Sequence, residues 1–183
     1  CGGASSRAVA RHGHEARVVG MPACSREELE EMMRRWLAVN ARAEREGDWR
    51  CLADCFTADC VYGWDTPNGR YQYRGREVIR ETCVGVAMDP YRGWTYPYDK
   101  IVLDEHRGEA FVTWWQVPPG APRREDGTEM KVIGASWFRY GGDFQWSEQM
   151  DLYDYASITG LIRECVAAGI LDAMPTMSAE RVE

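Results

Sequence analysis

Apolar residues recur at helical spacing near both ends of the chain. Residues 25–28, Ser-Arg-Glu-Glu, form a capping box. Mostly apolar residues spaced three and four positions apart then form a stripe along one helix face: Leu29, Met32, Met33, Trp36, Leu37, Asn40 and Ala43. The pattern predicts one long amphipathic helix that ends at Gly47. Asn40, the polar member, lies either at a partly exposed edge or on a face turned toward a cavity.

Three shorter helices are predicted from the same spacing. One follows Asp48, one covers 76–86 and one covers 156–168, and their inward faces carry Trp49, Leu52, Ala53 and Phe56, then Val78, Ile79, Thr82 and Cys83, then Ile158, Leu161, Ile162 and Cys165. Between them, alternating apolar and polar residues predict strands over 60–65, 98–105, 109–117, 129–140 and 145–155. This order predicts an α+β fold in which a curved sheet wraps around the first helix.

The strand 145–155 carries a carboxylate on each face. Trp146, Glu148, Met150 and Leu152 fall on one side, and Gln145, Ser147, Gln149, Asp151 and Tyr153 fall on the other. A buried carboxylate must be paired, protonated or functional. Periodicity alone leaves open whether Glu148 or Asp151 faces inward.

Composition and charge limit the possible partners. With 183 residues, of which 45% are hydrophobic, the chain is large enough to bury about 70% of its unfolded surface as one domain. A net charge of -7 argues against nucleic acid and against an anionic membrane surface. Because no apolar run has spanning length, we expect a soluble protein.

The seven cysteines form no CxxC pair and have no histidine nearby. They favour free, buried thiols in a reducing cytoplasm, and we expect neither a metal site nor a cofactor. Residues 1–22, which include His12 and His14, are polar and lack periodicity, so we expect a disordered or vector-derived extension. The boundaries predicted are therefore 1–22 for this extension, 23–172 for a single domain and 173–183 for a flexible tail.

The blocks 47–62 and 75–80, together with the order of elements, resemble the nuclear transport factor two-like superfamily, in particular its SnoaL-like branch. The resemblance covers roughly 25–168. It implies a cystatin-like cone of mixed or antiparallel curved sheet around the long N-terminal helix, with a C-terminal helix and an apolar ligand at the open end. Relatives include polyketide cyclases, ketosteroid isomerases and limonene epoxide hydrolases, so the fold alone does not name a reaction.

The resemblance also implies which residues face the cavity. Asp59 closes the second helix as it does in relatives, so Tyr62 and Trp64 should point inward. The segment 151–154 is similar to an epoxide hydrolase segment whose first aspartate holds the catalytic water, which makes Asp151 the pocket acid. Asp65 would face inward only through a bulge.

Several partners of the known relatives are replaced. Trp114 and Gln116 stand where the epoxide hydrolase has an arginine and a second aspartate, and glutamine cannot act as the acid. Trp64 stands where ketosteroid isomerase has its base, and Asn40 stands roughly at its oxyanion tyrosine. His106, the only histidine of the predicted domain, lies in a turn, so the dehydratase set of Tyr, His and Asp is absent.

One acid therefore remains for chemistry, with Asp151 as general base and Tyr62 as its catalytic partner. The expected ligand-binding residues are Asn40, Trp36, Trp64, Trp114, Gln116, Trp137 and Gln149. We expect a cofactor-independent lyase or isomerase that acts on a hydrophobic polyketide-, steroid- or terpenoid-like carbonyl compound. The alternative is non-catalytic binding of such a compound; an epoxide hydrolase and a dioxygenase-type accessory subunit are lesser alternatives.

Two further expectations concern surfaces. The aromatic segment 88–98 is typical of a pocket cap, a dimer contact or ordinary packing, and the sequence does not choose among them. Dimerisation through a sheet face is common in similar folds, so a homodimer is expected.

Overall fold

A computed structural model describes residues 23–175 and 179–182. The expected extension 1–22, with His12 and His14, lies outside the described residues, as do 176–178 and 183 of the expected tail. The α-helices are α1 Arg26–Glu46, α2 Arg76–Val78 and α3 Tyr155–Ala167. Other helical segments are the 3₁₀ helices Arg50–Cys55 and Val86–Tyr91 and a π-helical turn, Ile79–Cys83, that continues α2.

Within the described residues the sheet has seven strands, in the order β3-β4-β5-β6-β1-β2-β7. They are β1 Phe56–Thr66, β2 Gly69–Arg74, β3 Tyr98–Asp104, β4 Glu109–Gln116, β5 Val132–Gly142, β6 Gln145–Tyr153 and β7 Glu180–Val182. β1 and β6 pair in parallel, and every other neighbouring pair is antiparallel. The predicted α+β fold with a mixed, curved sheet is confirmed.

Helix α1 begins and ends as its sequence predicts. The hydroxyl of Ser25 accepts a hydrogen bond from the backbone of Glu28, whose carboxylate accepts one in return. Gly47 adopts φ 67°, a left-handed conformation that glycine tolerates at little cost, and its N–H donates to the carbonyl of Ala43. The predicted stripe turns toward the sheet: Leu29, Met32, Met33, Trp36, Asn40 and Ala43 are all buried.

The core between α1 and the sheet is rich in aromatic contacts. The ring of Trp36 meets Phe56 of β1 at 5.7 Å and Phe138 of β5 at 5.2 Å, both edge to face. Each such buried side chain contributes about 1.5–3 kcal/mol through the apolar area it removes from water. This packing fixes the inner face of the sheet, from which the cavity side chains project.

A bulge at Ser147 decides the faces of β6. Arg139 pairs with Glu148 and Tyr140 pairs with Trp146, so Ser147 has no opposite residue on β5. The extra residue reverses the alternation at that point. Trp146 is therefore buried on the same inner face as Gln149, whereas the strict alternation of the sequence put them on opposite sides.

A second, smaller core holds α3 over one end of the sheet. Leu161, Ile162 and Cys165 of the helix pack with Trp94 and Met130, among others. The side chain of Asp154 caps the helix by accepting a hydrogen bond from the N–H of Ala156 at 3.1 Å. The helix thereby closes part of the cavity described below.

Two local predictions were wrong. The strand β2, Gly69–Arg74, lies where the sequence pattern predicted no strand between the strand 60–65 and the helix 76–86. The predicted helix over 76–86 is replaced by a short α-helix and a π-helical turn that ends at Cys83, and Val78, predicted inward, is 48% exposed. The π-helical turn widens the spacing of inward positions, so Ile79 and Cys83 share the buried side without Val78.

No helix in the described ranges combines the length and the apolar character needed to span a bilayer. The described cysteines are free thiols, and Cys55, Cys60, Cys83 and Cys165 are buried. Burial raises the pKa of the Cys55 and Cys60 thiols to about 11, so both stay protonated at neutral pH.

Candidate functional site

A partly open cavity of about 270 Å³ lies between α1, the inner face of the sheet and α3. Eight of the nine predicted site residues line it: Asp151, Tyr62, Asn40, Trp36, Trp64, Trp114, Gln116 and Gln149. The parallel pairing of β1 with β6 places Trp64 opposite Asp151 and Tyr62 opposite Gln149, while β4 and β5 bring Trp114 alongside. The fold therefore gathers at one place residues that are up to 115 positions apart in sequence.

Asp151 is the carboxylate at the centre of this cavity. Its Oδ2 accepts a hydrogen bond from the hydroxyl of Tyr62 at 2.5 Å. Its Oδ1 accepts from the hydroxyl of Ser136 at 2.7 Å and from the side-chain amide of Gln149 at 2.8 Å. The three donors come from β1, β5 and β6, so the carboxylate ties the middle of the sheet together.

The hydrogen bond between Trp114 and Ser136 fixes the polarity of this network. The indole Nε1 of Trp114 donates to the Ser136 oxygen at 2.9 Å, and an indole N–H can only donate. The proton of Ser136 is therefore free to point at Asp151. The ring of Trp114 reaches this position by lying over Gly134, where a Cβ atom would come within 2.3 Å of it.

Burial raises the pKa of Asp151 above its ordinary value, and the hydrogen bonds from Ser136, Tyr62 and Gln149 act in the opposite direction. No charge of opposite sign assists, because no Lys, Arg or His is among the described residues that line the cavity. Burial, followed by the negative charge of Asp151, raises the pKa of Tyr62 well above 10. Tyr62 is therefore a neutral hydrogen-bond donor, and burial makes the Asp151 carboxylate more basic.

The hydrogen bond from Gln149 to Asp151 carries an energetic cost. Its side chain is 4% exposed, and its Oε1 is buried without a hydrogen-bond partner in the described structure. Leaving a buried acceptor unsatisfied costs about 1–3 kcal/mol. The amide is thus held with its N–H group toward the carboxylate even though its other end is unsatisfied.

Asn40 and Gln116 line the cavity, and the side-chain amide of each already donates a hydrogen bond within the protein. The amide nitrogen of Asn40 donates to the carbonyl of Trp36 at 3.0 Å, one helical turn earlier. That of Gln116 is 3.5 Å from the hydroxyl of Tyr96. The interpretation of Asn40 as a residue on a face turned toward a cavity is therefore correct, and its side chain is 7% exposed.

The expectation that Trp137 lines the cavity was wrong. Successive residues of β5 point to opposite faces, so Ser136 and Phe138 turn inward and Trp137 turns outward. The guanidinium of Arg139 lies 5.0 Å from the centre of the Trp137 ring on that outer face.

The other two candidate acids also face away from the cavity. Asp65 is half exposed and forms an ion pair with Arg70 at 2.9 Å. Glu148 lies 3.8 Å from Arg139 of the neighbouring strand, as expected for the outward face. Of the three carboxylates left open by the sequence, only Asp151 faces the cavity.

Several polar residues of the wall were not among those predicted, and they include Ser136, Tyr96, Tyr98 and Tyr153. Ser136 and Tyr153 stand at inward positions of their strands, so alternation counted from Phe138 and Asp151 would have found them. Tyr98 accepts a hydrogen bond from the Trp36 indole at 2.6 Å. The N–H of Tyr96 donates to the carboxylate of Glu44 on α1. Such contacts between distant segments leave no local pattern.

The aromatic segment 88–98 acts at least in part as a cap. Its side chains Met88, Tyr91, Tyr96 and Tyr98 line the cavity, and Trp94 is buried beside α3. Residues on α3, such as Tyr155 and Ile158, complete the same end. The described residues contain no group of three His, Cys, Asp or Glu side chains that could hold a metal ion.

Comparison with known proteins identifies the fold. No protein-family model matches the chain, and neither does any curated protein. Among solved structures, the chain is similar to one described as a SnoaL-like polyketide cyclase from Jannaschia sp., with 14% identity and a TM-score of 0.53 over 74% of this chain and 92% of that one. An NTF2-like protein from Anabaena variabilis has 14% identity and a TM-score of 0.53 over 74% and 96%.

A third similar structure is an epoxide hydrolase/cyclase-like enzyme of pyran ring formation in the polyether salinomycin. It has 14% identity and a TM-score of 0.51 over 72% of this chain and 94% of that one. At such identities the likeness establishes a shared fold and no shared reaction. The predicted resemblance to nuclear transport factor two-like and SnoaL-like proteins is therefore confirmed as a resemblance of fold.

Proposed function

We propose that the protein is a cofactor-independent lyase or isomerase in which Asp151 removes a proton next to the carbonyl group of a hydrophobic substrate. The observation that carries the proposal is a single carboxylate, enclosed by aromatic walls, whose pKa is raised by burial. A base with a raised pKa abstracts protons more effectively near neutral pH. Polyketide-, steroid- and terpenoid-like carbonyl compounds have the apolar surface that such walls would bury.

Tyr62 supports this chemistry by position. Its hydroxyl donates to Asp151, so it orients the carboxylate, and its oxygen keeps a lone pair for a substrate donor. The amides of Asn40 and Gln116 lie in the same cavity and are available to an enolate oxygen after a small rearrangement. The resulting steps, isomerisation, dehydration or ring closure, require no electron transfer.

Proton exchange at carbon tests the proposal directly. Hydrophobic enones and hydroxy ketones would be incubated with the protein in deuterium oxide, and loss of the proton next to the carbonyl would be followed by NMR. Wild type should catalyse exchange, and Asp151→Asn should lower the rate by about 10²–10⁴-fold. Glu148→Gln is the matched control, because it removes a carboxylate from the outer face of the same strand. Undiminished exchange in Asp151→Asn would rule out the assigned base.

Non-catalytic binding of a hydrophobic compound is the second candidate function. It is favoured by the three hydrogen bonds to Asp151, which stabilise the carboxylate at rest and leave one lone pair for a ligand. In that case a ligand would be recovered unchanged after long incubation, and no member of the panel would exchange.

A further inference from the structure

We propose that the cavity selects ligands that carry a positively charged nitrogen, either a protonated amine or a quaternary ammonium group. The inference rests on the cavity of the proposed function being the ligand site, and it names a property of the ligand that the proposed chemistry does not require. It is carried by two features of the walls, namely an uncompensated negative charge and the aromatic surfaces around it.

Among residues 23–175 and 179–182, the negative charge of Asp151 has no cationic partner. None of the ion pairs there includes Asp151, although Asp65 and Glu148 of the same sheet are each paired with an arginine. The three groups that donate to Asp151 are neutral. A buried charge without a partner is costly, and a cationic ligand would supply the partner that the described part of the chain does not provide.

The aromatic side chains supply the second half of a cation site. The indoles of Trp36, Trp64 and Trp114 and the phenol ring of Tyr62 line the same cavity as Asp151. Ring faces attract cations through their quadrupoles, most strongly where water is excluded, and aromatic cages of this kind bind quaternary ammonium groups.

A positive charge in the cavity is also compatible with the role proposed for Asp151. It would increase the ionised fraction of Asp151, which is the form that accepts a proton, and it would offset part of the pKa increase that burial causes. A quaternary nitrogen held over the rings leaves the remaining lone pair of Asp151 accessible to a neighbouring C–H group of the same ligand.

Two probes of the same shape test the inference. 4-Hydroxyphenyltrimethylammonium and 4-tert-butylphenol differ only in a charged nitrogen against a neutral carbon, and calorimetric titration of the full chain would give both affinities. Wild type should bind the cation at least about tenfold more tightly than its neutral isostere. Asp151→Asn should lose this preference while still binding the phenol, and Glu148→Gln should retain it.

A second measurement does not depend on any variant. In titrations of wild type at a series of pH values, the affinity for the cation should fall as the pH falls through the pKa of Asp151, whereas the affinity for the neutral phenol should stay unchanged, because only the ionised carboxylate attracts the cation. Equal or tighter binding of 4-tert-butylphenol, no binding of either probe, or an unchanged preference in Asp151→Asn would each overturn the inference. The exchange assay on neutral ketones involves no cation, so failure of one proposal is distinguishable from failure of the other.

Discussion

Substitution of Gly134 tests the packing that positions the network around Asp151. In Gly134→Ala the new Cβ would lie 2.3–2.6 Å from three carbon atoms of the Trp114 ring, so the ring must move. It cannot do so freely, because Trp114 is 8% exposed, packs edge to face on Tyr96 and donates to Ser136. Overpacking of this kind costs about 1–3 kcal/mol, and loss of the hydrogen bond adds about 0.5–1.5 kcal/mol.

The expected loss is therefore about 2–4 kcal/mol in the free energy of unfolding, measured by urea denaturation at unchanged m-value. Gly160→Ala is the control of opposite sign. Gly160 lies within α3, a Cβ there would meet nothing within 4 Å, and alanine should stabilise the helix by about 0.5–1 kcal/mol. In the double variant Gly134→Ala/Trp114→Phe the smaller ring should make the two effects less than additive. Wild-type stability in Gly134→Ala would refute the reasoning.

Three other outcomes are expected. Since the pKa of Asp151 is raised in the folded state, its protonated form contributes stability that is fully present below about pH 4 and is lost as the pH rises through the folded pKa. The urea midpoint of wild type should therefore fall between about pH 4 and about pH 8 relative to that of Asp151→Asn. Parallel pH dependences of the two midpoints would contradict this expectation. Asp154→Ala should cost about 1 kcal/mol in the same assay, while Asp154→Asn, which still caps, should cost little. Sedimentation should show a dimer that Phe111→Lys, on the outer face of β4 and 40% exposed, converts to a monomer, whereas Val86→Lys, at an exposed position outside the sheet, leaves it intact.

The sequence predicted the long helix α1, the C-terminal helix α3 and most strands because their patterns are local. The capping box at Ser25 and the glycine at position 47 set the ends of α1. The strand β2 was missed although Arg70, Tyr71, Gln72, Tyr73 and Arg74 alternate between polar and aromatic residues. It pairs with β1 across the two-residue turn between Thr66 and Gly69, which is a local hairpin pattern that the interpretation of the sequence overlooked.

The residues of the candidate site were predicted correctly on strands whose inward face could be assigned from the sequence, and they were missed on strands whose inward face could not. Asp151, Tyr62 and Trp64 were assigned by resemblance, and their positions in the cavity agree with it. Alternation misassigned Trp146, because it cannot reveal the extra residue at Ser147. Trp137 was wrongly expected in the cavity, because a large aromatic residue can also lie on the outer face of a sheet.

The bulge at Ser147 separates β6 into two segments with different structural roles. Before it, the strand turns Trp146 against Phe138, with ring centres 5.0 Å apart, and serves the core. After it, Gln149 and Asp151 serve the cavity. If β6 paired with β5 without this bulge, Trp146 and Asp151 would fall on opposite faces, and one of them would be presented to solvent. The extra residue at Ser147 therefore keeps the acid of the cavity and the core tryptophan of the same strand on one side of the sheet.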